Sequence, residues 1–276
     1  MGQCTYCGSS AGLLRKFHPD CKEQYDKGWS KMIWFATKAA QSGEELESLE
    51  KRLATVAESG HIPTPRVREA LLQGWEKALD RVLEDSVLSE DEGSRLMAYA
   101  KQFGLSQEDL NINGAYTRAE MAAVLREVLD GRVPSRIKIE GQLPFNFEKA
   151  ENLVWLFTNT SYYEERVRRS YVGGYQGMSF RVMKGVYYRI GGFRGNPVET
   201  KQIEHIDTGK VALTTKHIYF GGSRENFRIP YAKIVSFVPY SDGIGVCRDA
   251  ASAKPQIFVT GEGWFAYNLV RNLARM

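Results

Sequence analysis

Apolar positions recur along this chain with two different periods, and the change of period divides it. Between Lys22 and about Leu129 the steps are three and four residues. Leu46, Leu49, Leu53 and Val56 form one stripe, and Val67, Leu71, Trp75, Ala78, Leu79 and Val82 form another. Stripes of that period predict amphipathic helices that each bury one face. Breaks fall at Ser42-Gly43 and across Ser59-Gly60-His61-Ile62-Pro63-Thr64-Pro65, where glycine ends one helix and proline sets up the next. Ser89-x-x-Glu92 and Thr117-x-x-Glu120 carry the pattern in which a hydroxyl and a carboxyl reciprocally satisfy free amides at a helix start. Gly131 then stops the last helix.

After Pro134 the period becomes two. Ser179-Phe180-Arg181-Val182-Met183-Lys184 and Gly185-Val186-Tyr187-Tyr188-Arg189-Ile190 alternate apolar with polar residues, which predicts half-buried strands. Turns are expected at Asp207-Thr208-Gly209, Phe220-Gly221-Gly222 and Ser241-Asp242-Gly243. Further strands are expected at Val211–Leu213, His217–Phe220, Phe227–Ile229, Ile234–Pro239, Gly245–Cys247 and Gln256–Val259. An amphipathic helix over Gly263–Ala274, carrying Trp264, Tyr267, Leu269, Val270 and Leu273, closes the chain.

Leu213-Thr214-Thr215-Lys216-His217-Ile218-Tyr219-Phe220, followed by Phe227-Arg228-Ile229-Pro230-Tyr231-Ala232-Lys233-Ile234, resembles the strand pair of bacterial PH and GRAM-type domains. The resemblance covers about residues 145–275. It implies an antiparallel barrel capped by one helix, and a domain that binds lipids, peptides or proteins without catalysing a reaction. Val87-Leu88-Ser89-Glu90-Asp91-Glu92 through Phe103-Gly104-Leu105-Ser106 is similar, over some 20 residues, to the helical repeats of TerB-like domains. That family's carboxylates can hold metal, but Asp85 is followed by Ser86 where the family has glycine. The acidic cluster Glu84, Asp85, Glu90, Asp91 and Glu92 therefore reads as a solvated helix start favoured by the dipole.

Composition narrows the class. The chain has 276 residues, 43% apolar and 25% charged, which predicts about two globular domains and excludes a low-complexity chain. Its densest apolar run, Met32 to Ala36, is far shorter than the roughly 20 residues that span a bilayer. No charged-then-apolar leader opens it, so a soluble, cytoplasmic protein is expected. Charge is uneven: residues 1–140 hold 19 basic and 22 acidic side chains, and residues 141–276 hold 18 and 11. A basic second half suits phosphate, an acidic membrane surface or an acidic protein, and equally an ordinary solvated surface.

Cysteine placement is the sharpest signal. Cys4-x-x-Cys7, ten intervening residues, then His18-x-x-Cys21 put three of the four cysteines into the first 21 residues. Two close pairs of soft ligands joined by a short loop can close a tetrahedron around structural Zn²⁺. A disulfide and an acylated Met1-Gly2-Gln3-Cys4 terminus are the alternatives. An intracellular setting opposes the first, and Tyr6, where such termini carry Ser or Thr, opposes the second. The segment resembles a small zinc ribbon or treble-clef finger over about the first 25 residues. The resulting expectation is an α+β chain: zinc finger 1–25, helical domain 26–133, and PH-like β-barrel domain 145–276 capped by a helix.

No catalytic motif survives its context. Ile206-Asp207-Thr208-Gly209 copies the aspartic-protease triplet once, without the second copy that would share a proton. Val172-Gly173-Gly174-Tyr175-Gln176-Gly177 and Ile190-Gly191-Gly192-Phe193-Arg194-Gly195 run into extended residues, where a phosphate loop needs a helix start. His61, His205 and His217 are scattered. The candidate ligand surface is Arg166, Arg168 and Arg169 with Tyr175, Arg181, Lys184, Arg189 and Arg194, since guanidinium forks suit phosphate or carboxylate. Glu164 and Glu165 beside them allow a plain ion-paired strand face. The favoured function is a non-catalytic zinc-containing scaffold that binds a protein partner or an acidic surface through the PH-like domain. Nucleic-acid binding by finger and basic sheet is the second class, and a metal-dependent nuclease the third.

Overall fold

The structure, a computed structural model, describes residues 2–12, 14–85, 87–136, 143–171, 179–183, 186–189, 197–250 and 254–276; the side chains of residues 85, 167–171, 179–183, 186–189 and 197–201 lie outside that description. The chain is mixed α+β and forms two compact units, Met1–Arg126 and Glu127–Met276.

The first unit opens with a two-stranded ladder, β1 (Gly2–Gln3) against β2 (Ser10–Gly12). Helices α1 (Pro19–Ser42), α2 (Leu46–Ser59), α3 (Pro65–Val82), α4 (Glu90–Gln102), the single turn α5 (Gln107–Leu110) and α6 (Ala115–Leu129) follow. Their boundaries obey local chemistry. Pro19 and Pro65 start helices, where the missing N–H costs nothing. Gly43, at φ 71°, ends α1 by donating its N–H to the Ala39 carbonyl. The Ser89/Glu92 box forms at α4 as the sequence implies, and an unforeseen Ser106/Asp109 box starts α5.

The Thr117/Glu120 box does not form. Helix α6 has already begun at Ala115, and the Thr117 N–H and hydroxyl both donate to the Asn111 side-chain oxygen at 3.0 Å. The predicted stripes meet in one core, in which Met32, Leu49, Leu53, Trp75, Leu79, Leu96 and Tyr99 are wholly buried. Gly74 lets α3 lie against α1, since a Cβ there would come within 2.3 Å of the Ala36 methyl.

The second unit is a seven-stranded antiparallel sheet in the order β8-β7-β6-β3-β11-β10-β9. Its strands are β3 (Leu153–Tyr171), β6 (Pro197–Thr214), β7 (His217–Gly222), β8 (Asn226–Pro230), β9 (Ile234–Pro239), β10 (Gly243–Arg248) and β11 (Gln256–Val259). Strands β4 (Ser179–Met183) and β5 (Val186–Arg189) pair separately as a two-stranded ladder. The sheet is not closed into a barrel: among the described residues no ladder joins its edge strands β8 and β9, although only the short helical turn Tyr231–Lys233 separates them in sequence.

The expected turn at Asp207-Thr208-Gly209 is instead the middle of β6, which pairs with β3 from Pro197 to Thr214. Helix α7 (Gly263–Leu273) covers the sheet through Phe265, Ala266, Leu269, Val270 and Leu273, with Phe265 edge-on to Trp155 at 4.9 Å. Trp264, expected on the buried face, is 54% exposed. Below α7, Tyr162, Phe220, Phe227 and Phe258 pack ring on ring. No described helix is long and apolar enough to cross a membrane.

Candidate metal centre

The ten residues between Cys7 and His18 fold back through the β1–β2 ladder, so the two ligand pairs meet. The Cys4 N–H donates to Ser9 O at 2.7 Å and the Gly8 N–H to Cys4 O at 2.9 Å, closing a tight turn around the first pair. Helix α1 supplies the second pair, with His18 at its N-cap and Cys21 in its first turn. One ligand atom each from Cys4, Cys7, His18 and Cys21 lies within 4.8 Å of the others.

The separations fit a metal better than hydrogen bonding. His18 Nδ1 stands 3.5 Å from Cys7 Sγ and 3.6 Å from Cys21 Sγ. Bond lengths of about 2.3 Å to sulfur and 2.0–2.1 Å to nitrogen, arranged tetrahedrally, place N and S about 3.6 Å apart. His18 Nε2 lies 3.1 Å from the Ser10 carbonyl. That contact fixes the proton on Nε2 and leaves Nδ1 as the ligand, the usual outer support of a metal-bound imidazole.

Electrostatics point the same way. Burial would raise the Cys4 thiol, but hydrogen bonds from the amides of Cys7, His18 and Tyr6 outweigh it and bring it down to about 6. The Ser9 amide lowers Cys7. Cys21 is pushed up to about 11 by burial and by the neighbouring sulfurs of Cys7 and Cys4. Three thiolates cannot share so small a space without a cation to offset their repulsion. The donor set therefore fits a soft divalent metal, and with four protein ligands it leaves no position for a reacting water.

The basic candidates are only partly placed. Arg166 is exposed on β3 opposite Gln202. Arg168 and Arg169 follow on β3 opposite Thr200 and Glu199, Arg181 is on β4 and Arg189 on β5, with side chains outside the described residues. Tyr175, Lys184 and Arg194, and the two glycine-rich candidate loops, lie outside the described residues altogether.

Sequence reasoning missed a buried polar cluster in the second unit. The Glu151 carboxylate, with a fully buried side chain, accepts from the hydroxyls of Thr214 and, at 2.7 Å, Tyr219, while His217 Nδ1 approaches it at 2.8 Å. Burial alone would raise Glu151, but its bonds to Thr214, Tyr219 and His217 hold it below the usual carboxylate range. No local signal marks it, because its partners are 63 to 68 residues away. Asp207 is similarly occupied: the amides of Arg224, Glu225 and Thr208 and the Ser223 hydroxyl all donate to it. Those donors, the Arg224 amide foremost, bring its carboxyl down to about 2. It is a structural anion and has no free edge for proton transfer.

No known family model matches this chain, and no curated protein or solved structure matches it either.

Proposed function

We propose that this chain is a non-catalytic interaction protein, stapled by zinc at Cys4, Cys7, His18 and Cys21, that engages a protein partner or acidic surface through a PH-like second unit. The observation that carries the reading is the closed four-ligand cluster with its self-repelling thiols, a structural rather than a catalytic type of site. The strand order supports the PH-like part. Two antiparallel meanders, β3-β6-β7-β8 and β9-β10-β11, join through the β3–β11 pair and carry one terminal helix. The TerB-like repeat is supported by α4, its serine box and the Gly104 turn, at φ 57°, that leads into the second box.

Two experiments test the reading. Elemental analysis of protein prepared without chelator should return one zinc per chain, and Cys4→Ala, Cys7→Ala or Cys21→Ala should lose it. Structural zinc is worth on the order of 10 kcal/mol to a small site, so these variants should unfold the finger and loosen the start of α1 while the sheet unit keeps its melting transition. Wild-type protein without stoichiometric metal would refute the assignment. For the partner, capture by wild type is compared with capture by an Arg166→Ala/Arg168→Ala/Arg169→Ala variant. The triple variant should lose the partner while stability stays within about 0.5 kcal/mol, because exposed charges add little to folding. Unchanged capture rejects the basic face, and recovery of nucleic acid in place of protein rejects the scaffold class.

A further inference from the structure

The loop between the two ligand pairs has a feature that metal holding does not use. Leu14 is 97% exposed, the most exposed large apolar side chain among the described residues, and Phe17 three positions on is 37% exposed. Between them stand Arg15 and Lys16, both exposed. No Asp or Glu occurs among residues 2–19.

The tip is not loose at its base. The Thr5 N–H donates to the Lys16 carbonyl at 3.0 Å. Gly2 admits the Arg15 carbonyl so closely that a Cβ there would sit 2.8 Å from it. Phe17 rests edge-on against Tyr6 at 5.9 Å, and His18 follows immediately as a ligand. A rigid base presenting a bare leucine to water forgoes the gain of burying it, so the arrangement calls for an apolar medium outside this unit.

We infer that residues 14–17 form a shallow insertion tip for an anionic bilayer surface: Leu14, with the edge of Phe17, enters the acyl boundary while Arg15 and Lys16 meet acidic headgroups. The tip is convex, so a deformable medium accommodates it without a preformed pocket. Its cations lie one and two residues from the inserted side chain, where long basic stems reach back to headgroup level. The binding is weak by construction, since one leucine and two charges supply less than a single acyl chain does. It makes the protein a peripheral, reversible visitor to the membrane.

This inference rests on the metal-held loop proposed above, so the test measures both. Zinc-loaded full-length protein is co-sedimented with phosphatidylcholine vesicles and with vesicles containing about 30% phosphatidylserine, an anionic surface of the physiological kind. Binding is expected only to the second, weakening steeply as salt screens the charges. Arg15→Ser/Lys16→Ser should weaken it about thirtyfold, at about 1 kcal/mol per basic residue. Leu14→Asp should weaken it at least tenfold, and Leu14→Trp should shift its emission to the blue on anionic vesicles alone. Zinc content is measured on every sample: loss of metal indicts the zinc reading, whereas retained metal judges the tip alone. Metal-loaded wild type that ignores anionic vesicles would overturn the inference. So would binding that survives Leu14→Asp unchanged, since another surface would then be responsible.

Discussion

The two units bury their polar groups very differently. Among the described residues with buried polar side chains, Thr37 alone belongs to the helical unit, while Thr160, Asp207, Thr214, His217 and Gln256 all belong to the sheet unit. The helical core is apolar, and its exceptions are tips of large residues: Trp75 donates to Leu96 O at 3.0 Å and Tyr99 to Leu71 O at 3.2 Å. Such a core takes its stability from volume and area, which many sequences supply. The sheet takes part of its register from specific pairs, each costly to half-remove. Glu151 ties the approach to β3 onto the β6–β7 corner, and Asp207 ties β6 to the β7–β8 loop. The difference shows that the helical unit is specified by pattern and the sheet unit by partners.

Three measurements break or sharpen that contrast. Trp75→Ala, which empties a wholly buried ring site, should lower the helical unit's stability by about 3–5 kcal/mol. The sheet unit's near-ultraviolet signal should remain; joint loss of both would deny their independence. Glu151→Ala leaves Thr214, His217 and Tyr219 without their acceptor and should cost the sheet about 3 kcal/mol. Glu151→Gln, which keeps an oxygen, should cost less, and equal effects of the two would mean that the hydrogen bonds contribute nothing.

The smallest expected effect is one of pH. Asp207 has its folded pKa lowered to about 2 from the ordinary 3.8, so its contribution is complete above the ordinary value and is lost as pH falls through the folded one. Acid titration of the sheet transition should show a component between those values that Asp207→Asn removes. An acid profile identical in the variant would assign the component elsewhere.

Much of the second unit could be read from the sequence alone. Ile234–Pro239 and Gln256–Val259 coincide with β9 and β11, because alternation and flanking turns are local facts. Asp207-Thr208-Gly209 misled for the complementary reason. Its turn-forming composition is local, but the donors that hold it extended lie at 223–225, on a loop two strands onward. Thr117 misled likewise, since Asn111 had already taken the capping role. The metal cluster was legible because both pairs and their connection fit within 21 residues, whereas the Glu151 cluster exists only once distant strands have met.

The central place of β11 has a consequence for the life of the chain during synthesis. Four residues near the C-terminus fill the gap between β3 and β10, and Gln256 reaches Tyr162 across 94 positions. Until they leave the ribosome, β3 and β10 each present a raw edge, the kind of surface on which nascent chains stick to one another. The finger, whose contacts are all short in sequence, can close long before. Pulse-labelled hydrogen exchange should find β11 amides protected last among the strands; protection of β11 before β6 and β7 would reverse the order.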